Sequence, residues 1–425
     1  MKRLLGPLLF AALLFVYYDA TVRQAGDSHY TLLASQALLS RQTLALEDAF
    51  RFPLDQERYP GLGAGELPYQ VERAGGHLLQ AFPPGTAVLS TPLVALLRLT
   101  GSSATAPDGA YDLRGELRME RRIAAFLAAL YALLTYATAR RLLDVKRSLL
   151  VAFAVAFGTQ VWSTASRALW SHDWLLLLVG GALWLLLRDG PVVPTFLGAG
   201  LLLGAAFTVR PTAALSLAVV FVLALLRRDR WIAVSALTAG AAVPIALLCV
   251  WCQAYYHAPL PPYYRGRLGA PSGEALAGTL LSPSRGFLVF TPVVLWLLWI
   301  VLRHRRRLAR PELALGALAA VALSWLTVSS FPHWWGGKCY GPRLLTDALP
   351  WLVLLAVLAL RAWDAGEHRT ERWAGAVLLA LSVLLHTPGA RSRAANPWND
   401  RPLDVDQHPE RVWDWRDPQF LAWLR

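Results

Sequence analysis

The sequence predicts an all-α polytopic membrane protein with about eleven transmembrane helices and a long first external loop that carries surface helices. Three observations lead there. Of 425 residues, 56% are hydrophobic and only 16% charged, with a mean hydropathy of +0.40, too apolar for a soluble chain of this length. Apolar runs recur along its whole length. Between them the arginines gather in short clusters, the pattern that orients a chain in a bilayer.

The first apolar run, 4–18, follows Lys2 and Arg3 and is itself followed by Tyr17, Tyr18 and Asp19 rather than a small-residue cleavage site, so it reads as an uncleaved spanning helix. Further spans are expected near 120–139, 148–164, 174–187, 192–208, 212–226, 231–255, 286–302, 312–329, 348–363 and 372–387. Several fall short of the ~20 residues a bilayer asks for. The segment 86–100, with Pro92 inside it and Arg98 near its end, is expected to lie along or dip into the membrane surface. Charge decides this. Without a crossing there, "RRLLDVKR" (140–147), "RRDR" (227–230), "RHRRRLAR" (303–310) and "RAWDAGEHRTER" (361–372) all fall on the side of Lys2–Arg3, which the positive-inside rule makes cytoplasmic. The external segments are then 19–119, 165–173, 256–285, 330–347 and a tail from 391 to 425, with a transmembrane domain over 1–390. The N-terminus is cytoplasmic in this scheme and the site faces outward.

A net charge of +13 raises the possibility of nucleic acid as partner. The basic residues sit in membrane-flanking runs and no soluble basic domain exists, so nucleic acid is not expected as a partner. Cys249 and Cys252 form a C-x-x-C inside an apolar helix, where ordinary packing is the reading. No phosphate-binding G-x-x-x-x-G-K-[ST], H-E-x-x-H or zinc-type cluster is present, which argues against ATP hydrolysis and structural zinc.

The outward segments carry the chemistry. Asp27 precedes an amphipathic run (Leu32, Leu33, Leu38, Leu39) suited to a membrane interface, and a carboxylate there is placed for general-base work on a hydroxyl. A helix N-cap is the structural alternative, and Asp19 competes for the catalytic role. His172 and Asp173 fall in a very short external turn, where they are either a solvated helix cap or functional. Asp27 and Asp173 could share one site. Arg210 in "TVRPTAAL", Arg285 in "LSPSRGF", and Lys338 and Arg343 in "WWGGKCYGPR" are outward cations that break the orientation rule. An anionic ligand, or pairing with the external carboxylates, would account for them; guanidinium matches phosphate oxygens in pairs. Trp334 and Trp335 lie beside glycines that allow close approach of a ligand.

In order, these features resemble the GT-C superfamily of membrane glycosyltransferases, and within it bacterial relatives of protein O-mannosyltransferases and of the lipid A aminoarabinose transferase. The resemblance spans about 10–390, and its most specific pieces are "LSPSRGF" and "WWGGKCYGPR". It implies a hexosyl- or pentosyltransferase that takes sugar from a polyprenyl-phosphate carrier to a lipid, glycan or protein hydroxyl on the outer face of the bacterial cytoplasmic membrane. It maps the base onto Asp27, and an acceptor-orienting or cation-binding acid onto Asp173, with Mg or Mn as the candidate cation. Phe82 stands before "PPG" where some relatives have Lys. On this reading Lys338 and Arg343 turn towards the carrier phosphate, Trp334 and Trp335 towards sugar or polyprenyl, and Arg210, Arg285 and His172 lie with the substrate. A transporter or flippase, or a polymerase, acting on polyprenyl-linked sugars would use similar residues. A transporter fits less well because the halves show no convincing repeat.

Overall fold

A computed structural model describes residues 4–20, 22, 24, 26–50, 66–188, 190–262, 269–363 and 369–424. Lys2 and Arg3 of the first basic cluster, and 364–368 of the last, lie outside the described residues. The chain forms α1 (Leu5–Tyr18), α2 (Thr31–Arg41), a hairpin of β1 (Val71–Ala74) and β2 (His77–Gln80), α3 (Gly85–Leu99), α4 (Leu113–Ala139), α5 (Val145–Phe157), α6 (Gln160–Ser163), α7 (Ser171–Leu186) and α8 (Val192–Val209). It continues through α9 (Ala214–Leu225), α10 (Arg230–Tyr256), α11 (Gly273–Leu281), α12 (Phe287–Phe290), α13 (Val293–Arg303), α14 (Pro311–Ser329), α15 (Leu349–Ala362) and α16 (Arg369–Arg391). The hairpin is antiparallel, with Val71 opposite Gln80 and Ala74 opposite His77.

Among the described residues, six helical segments are long and apolar enough to cross a membrane: α4, α8, α10, α14, α16, and α15 together with the turn that leads into it from Arg343. A seventh candidate is α5 with 160–167, bent by 41°. The break falls at Gly158 and Thr159, where the Thr159 hydroxyl caps the next turn by accepting from Val161 N. Side-chain caps also start α4 at Asp112, α5 at Asp144 and α11 at Ser272. The tightest helix pair is α8 with α10. A Cβ on Gly200 would meet the Leu237 carbonyl at 2.1 Å, and one on Gly240 the Leu197 carbonyl at 2.2 Å, so only glycine lets these backbones touch.

The bundle has two chemically distinct ends. At one end the basic connections meet. Arg147 Nη1 donates to Leu360 O at 3.1 Å, Arg303 pairs with Glu371 at 2.9 Å, and Arg141 lies 4.4 Å over Trp184. The other end carries the long connections, folded into two bodies. The first holds α2, the hairpin and α3 around Tyr30, Leu33, Leu46, Val71, Leu78 and Tyr111. The amphipathic run after Asp27 therefore does not lie free at an interface: Leu32 and Leu33 are fully buried, and only its last turn is exposed. The 86–100 segment becomes α3, against α2 and α8.

The second body joins 331–343 to the segment after α16. Trp334 and Trp335 pack with Trp398, Val405 and Val412. The tail is folded back onto the loop, because the loop's apolar rings need cover. Gly336, Gly337 and Gly341 take φ of +76°, +68° and +60°, a left-handed path that side chains disfavour. These glycines are needed for the path of the backbone itself.

Candidate active site

Asp27 sits in the connection from α1 to α2. It is not the cap of α2: Glu116 of α4 accepts from the N–H groups of Tyr30, Leu32 and Leu33 at 2.8, 2.8 and 3.0 Å, and from Tyr111 OH. That leaves the Asp27 carboxylate for other partners. Tyr69 OH donates to Oδ1 and Arg343 Nη1 to Oδ2, both at 2.8 Å. Burial pushes this carboxyl up, but the Arg343 charge and the bonds from Tyr69 and Arg343 outweigh it and hold it below the ordinary carboxylate range.

Arg343 reaches Asp27 from the opposite end of the chain. Its Nη2 donates to Gly336 O at 2.8 Å, and its guanidinium lies 4.1 Å over the Trp170 ring. It lines a cleft with Thr279, Trp334, Trp335, Leu344 and Leu345. Pairing with an external carboxylate was one of two explanations for outward cations. For Arg343 the partner in the structure is Asp27, while the nearby Asp347 is engaged elsewhere.

Asp347 is the centre of a second cluster. His172 Nδ1 lies 2.6 Å from Oδ1; Arg210 Nε and Thr212 Oγ1 donate to Oδ2 at 3.0 and 3.2 Å. Arg210 Nη1 also donates to Ser171 Oγ at 2.8 Å. With a carboxylate as acceptor, His172 carries its proton on Nδ1. His172 is 2% exposed, so of the two readings of this turn the solvated helix cap is the one the structure does not bear out.

Asp173 is buried more deeply than expected, at 1% exposure, and neither of its oxygens has a hydrogen-bond partner among the described residues. The carboxyl that acts on it electrostatically is that of Glu120 in α4. Among the described residues no three His, Cys, Asp or Glu side chains are grouped to hold a metal ion.

The remaining candidates hold the second body together. Arg285 is 2% exposed, and its five N–H donors go to Trp335 O, Ser284 O, Gln419 Oε1, Gly337 O and Asn399 Oδ1. Its guanidinium is thus committed to protein acceptors, which leaves no donor for a phosphate. Lys338 bridges Asp400 and Asp404, each at 2.7 Å. Trp335 Nε1 donates to Asp406 at 3.0 Å, and Trp334 is 6% exposed, so both rings face the tail's core as well as the cleft. Asp19 pairs with Arg391 at 3.2 Å in an exposed position away from this cluster.

Sequence reasoning missed Tyr69, Trp170, Glu116 and Glu120. The two glutamates carried a readable signal: "ELRME" puts carboxylates at i and i+4, on one face of a helix. Nothing in the local sequence marks Tyr69 or Trp170.

No protein-family model matches the chain, and no curated protein matches it. Among solved structures it is similar to the oligosaccharyltransferase of Archaeoglobus fulgidus in the apo form, with a TM-score of 0.53 and 12% sequence identity. The match covers 98% of this chain and 61% of that one, so the chain spans about three fifths of the neighbour's length. At this identity the likeness is one of fold alone.

Proposed function

We propose that the chain is a membrane glycosyltransferase that moves a hexose or pentose from a polyprenyl-phosphate carrier to an acceptor hydroxyl on a lipid, glycan or protein. The observation that carries this reading is the Asp27–Arg343 pair beside the cleft, in a fold similar to that of an oligosaccharyltransferase. One partner is suited to take a proton and the other to hold a phosphate. The acceptor oxygen attacks the anomeric carbon, and that C–O bond forms as the bond to the carrier phosphate breaks. The electron pair leaves with the phosphate, where Arg343 balances its charge, and the acceptor proton passes to Asp27.

Arg210 and His172 act here through Asp347, which fixes the turn leading into α15. Arg285 and Lys338 act by holding the 331–343 loop. Asp173 would orient the acceptor. In the bilayer, eleven crossings are the six long segments, the bent pair, and α1, α7, α9 and α13, with α3 outside the count. The bacterial cytoplasmic membrane is the proposed location, with the basic end inside and the site outside.

The test is release of polyprenyl phosphate by purified protein in nanodiscs supplied with polyprenyl-phosphate sugars and an envelope extract as acceptor. Sugar-dependent release supports the reading. Movement of donor between leaflets without release would make the protein a transporter instead.

A further inference from the structure

Two buried hydrogen-bond donors without acceptors sit on stacked side chains next to Asp27. Arg343 uses Nη1 on Asp27 and Nη2 on Gly336, but its Nε has no acceptor among the described residues. The ring stacked on it belongs to Trp170, which is 3% exposed and whose Nε1 likewise has none. Trp174, Trp335 and Trp398 find acceptors in Ser90, Asp406 and Asp417, whereas Trp162 Nε1 in α6 also has none among the described residues but stacks on no cation there. Arg285, the buried arginine between α11 and α12, has every donor filled.

Trp170 is also held firmly. Its N–H donates to Ala168 O at 2.9 Å, its carbonyl accepts from Asp173 N at 3.0 Å as α7 begins, and its ring edge abuts Gly26, the residue before Asp27. Leaving a buried N–H unpaired is unfavourable. Two on adjacent stacked groups, one of them cationic, fit a ligand with several acceptor oxygens and a negative charge. Phosphate esters have that chemistry.

We propose that Trp170 is a second hydrogen-bond donor of the phosphate subsite, its indole N–H acting beside Arg343 Nε–H on the oxygens of a phosphate ester. The inference rests on the function proposed above. It differs from a stacking role alone, in which the ring only covers the guanidinium.

Phenylalanine separates the two, since Trp170→Phe keeps an aromatic face and deletes the N–H. Full-length protein in nanodiscs is titrated with a short-chain polyprenyl phosphate and, separately, with inorganic phosphate, for wild type, Trp170→Phe and Arg343→Ala. The expected result is an affinity of the folded protein for the phosphate ligand at least ~10-fold weaker in Trp170→Phe than in wild type. Preference for the lipid phosphate names the carrier as the source; equal dependence with inorganic phosphate means the site reads the phosphate group alone. Binding that Arg343→Ala abolishes and Trp170→Phe leaves unchanged would overturn the proposal and spare the functional reading. A wild-type protein that binds neither ligand would overturn both.

Discussion

Arg343 Nη1 lies 2.8 Å from Asp27 Oδ2, across 316 positions of sequence. In the free protein the proposed base and the proposed phosphate ligand therefore neutralise each other, and a carrier phosphate must compete with Asp27 for the same guanidinium. Once it does, Asp27 loses its cation and gains basicity as the acceptor arrives.

Asp27→Asn should abolish transfer, by ~100- to 10,000-fold for loss of a general base. The same change removes the internal competitor of the phosphate. Affinity for a polyprenyl phosphate should hold or tighten, by up to roughly tenfold. Isothermal titration reads the binding and product release reads the rate. Full activity in the variant would move the role to another carboxylate, with Asp19 the first to try.

The pH profile follows from the same pair. Burial raises the Asp27 carboxyl, and Arg343 with Tyr69 brings it below its ordinary value. The stability this pair contributes is complete above the unfolded carboxylate pKa of about 4 and is lost as pH falls through the lower folded value. In Arg343→Ala the burial effect faces weaker opposition, so the acid limb of residual kcat/KM should move to higher pH. Arg343→Lys, which keeps the charge but not the fork, should lie closer to wild type. An acid limb unmoved in Arg343→Ala excludes Asp27 as the titrating base.

Arg285 is expected to matter for folding rather than for phosphate. Arg285→Met removes five hydrogen bonds at once; although Gln419 Oε1, Asn399 Oδ1 and Gly337 O keep other donors, the loss should cost about 3–5 kcal/mol and appear as a lower melting temperature and easier proteolysis of 392–424. Affinity of the folded fraction for polyprenyl phosphate should stay within about twofold. Lost binding with unchanged stability would return Arg285 to the phosphate site.

Sidedness is tested at Trp415, which is 62% exposed on the folded tail. In a background with Cys249, Cys252 and Cys339 replaced by alanine, Trp415→Cys should react with an impermeant maleimide in intact spheroplasts. Labelling only after permeabilisation would invert the proposed topology.

By itself the sequence determined the helical membrane character, because long apolar runs leave a chain few alternatives in lipid. It also placed the basic connections on one end, since each crossing reverses direction, and marked "LSPSRGF" and "WWGGKCYGPR" as the segments where polar chemistry gathers. It could not assign partners to the cations there. Arg285 and Arg343 look alike in sequence, yet one is consumed by five protein acceptors while the other meets Asp27 and keeps an unpaired donor. Asp173 reads as a turn residue near water and is buried. Hydropathy reports how deep a residue lies along the bundle axis, but which helix it faces depends on how the helices pack around one another. Only the tertiary structure, by closing loops hundreds of residues apart onto one end of the bundle, decided which charges meet.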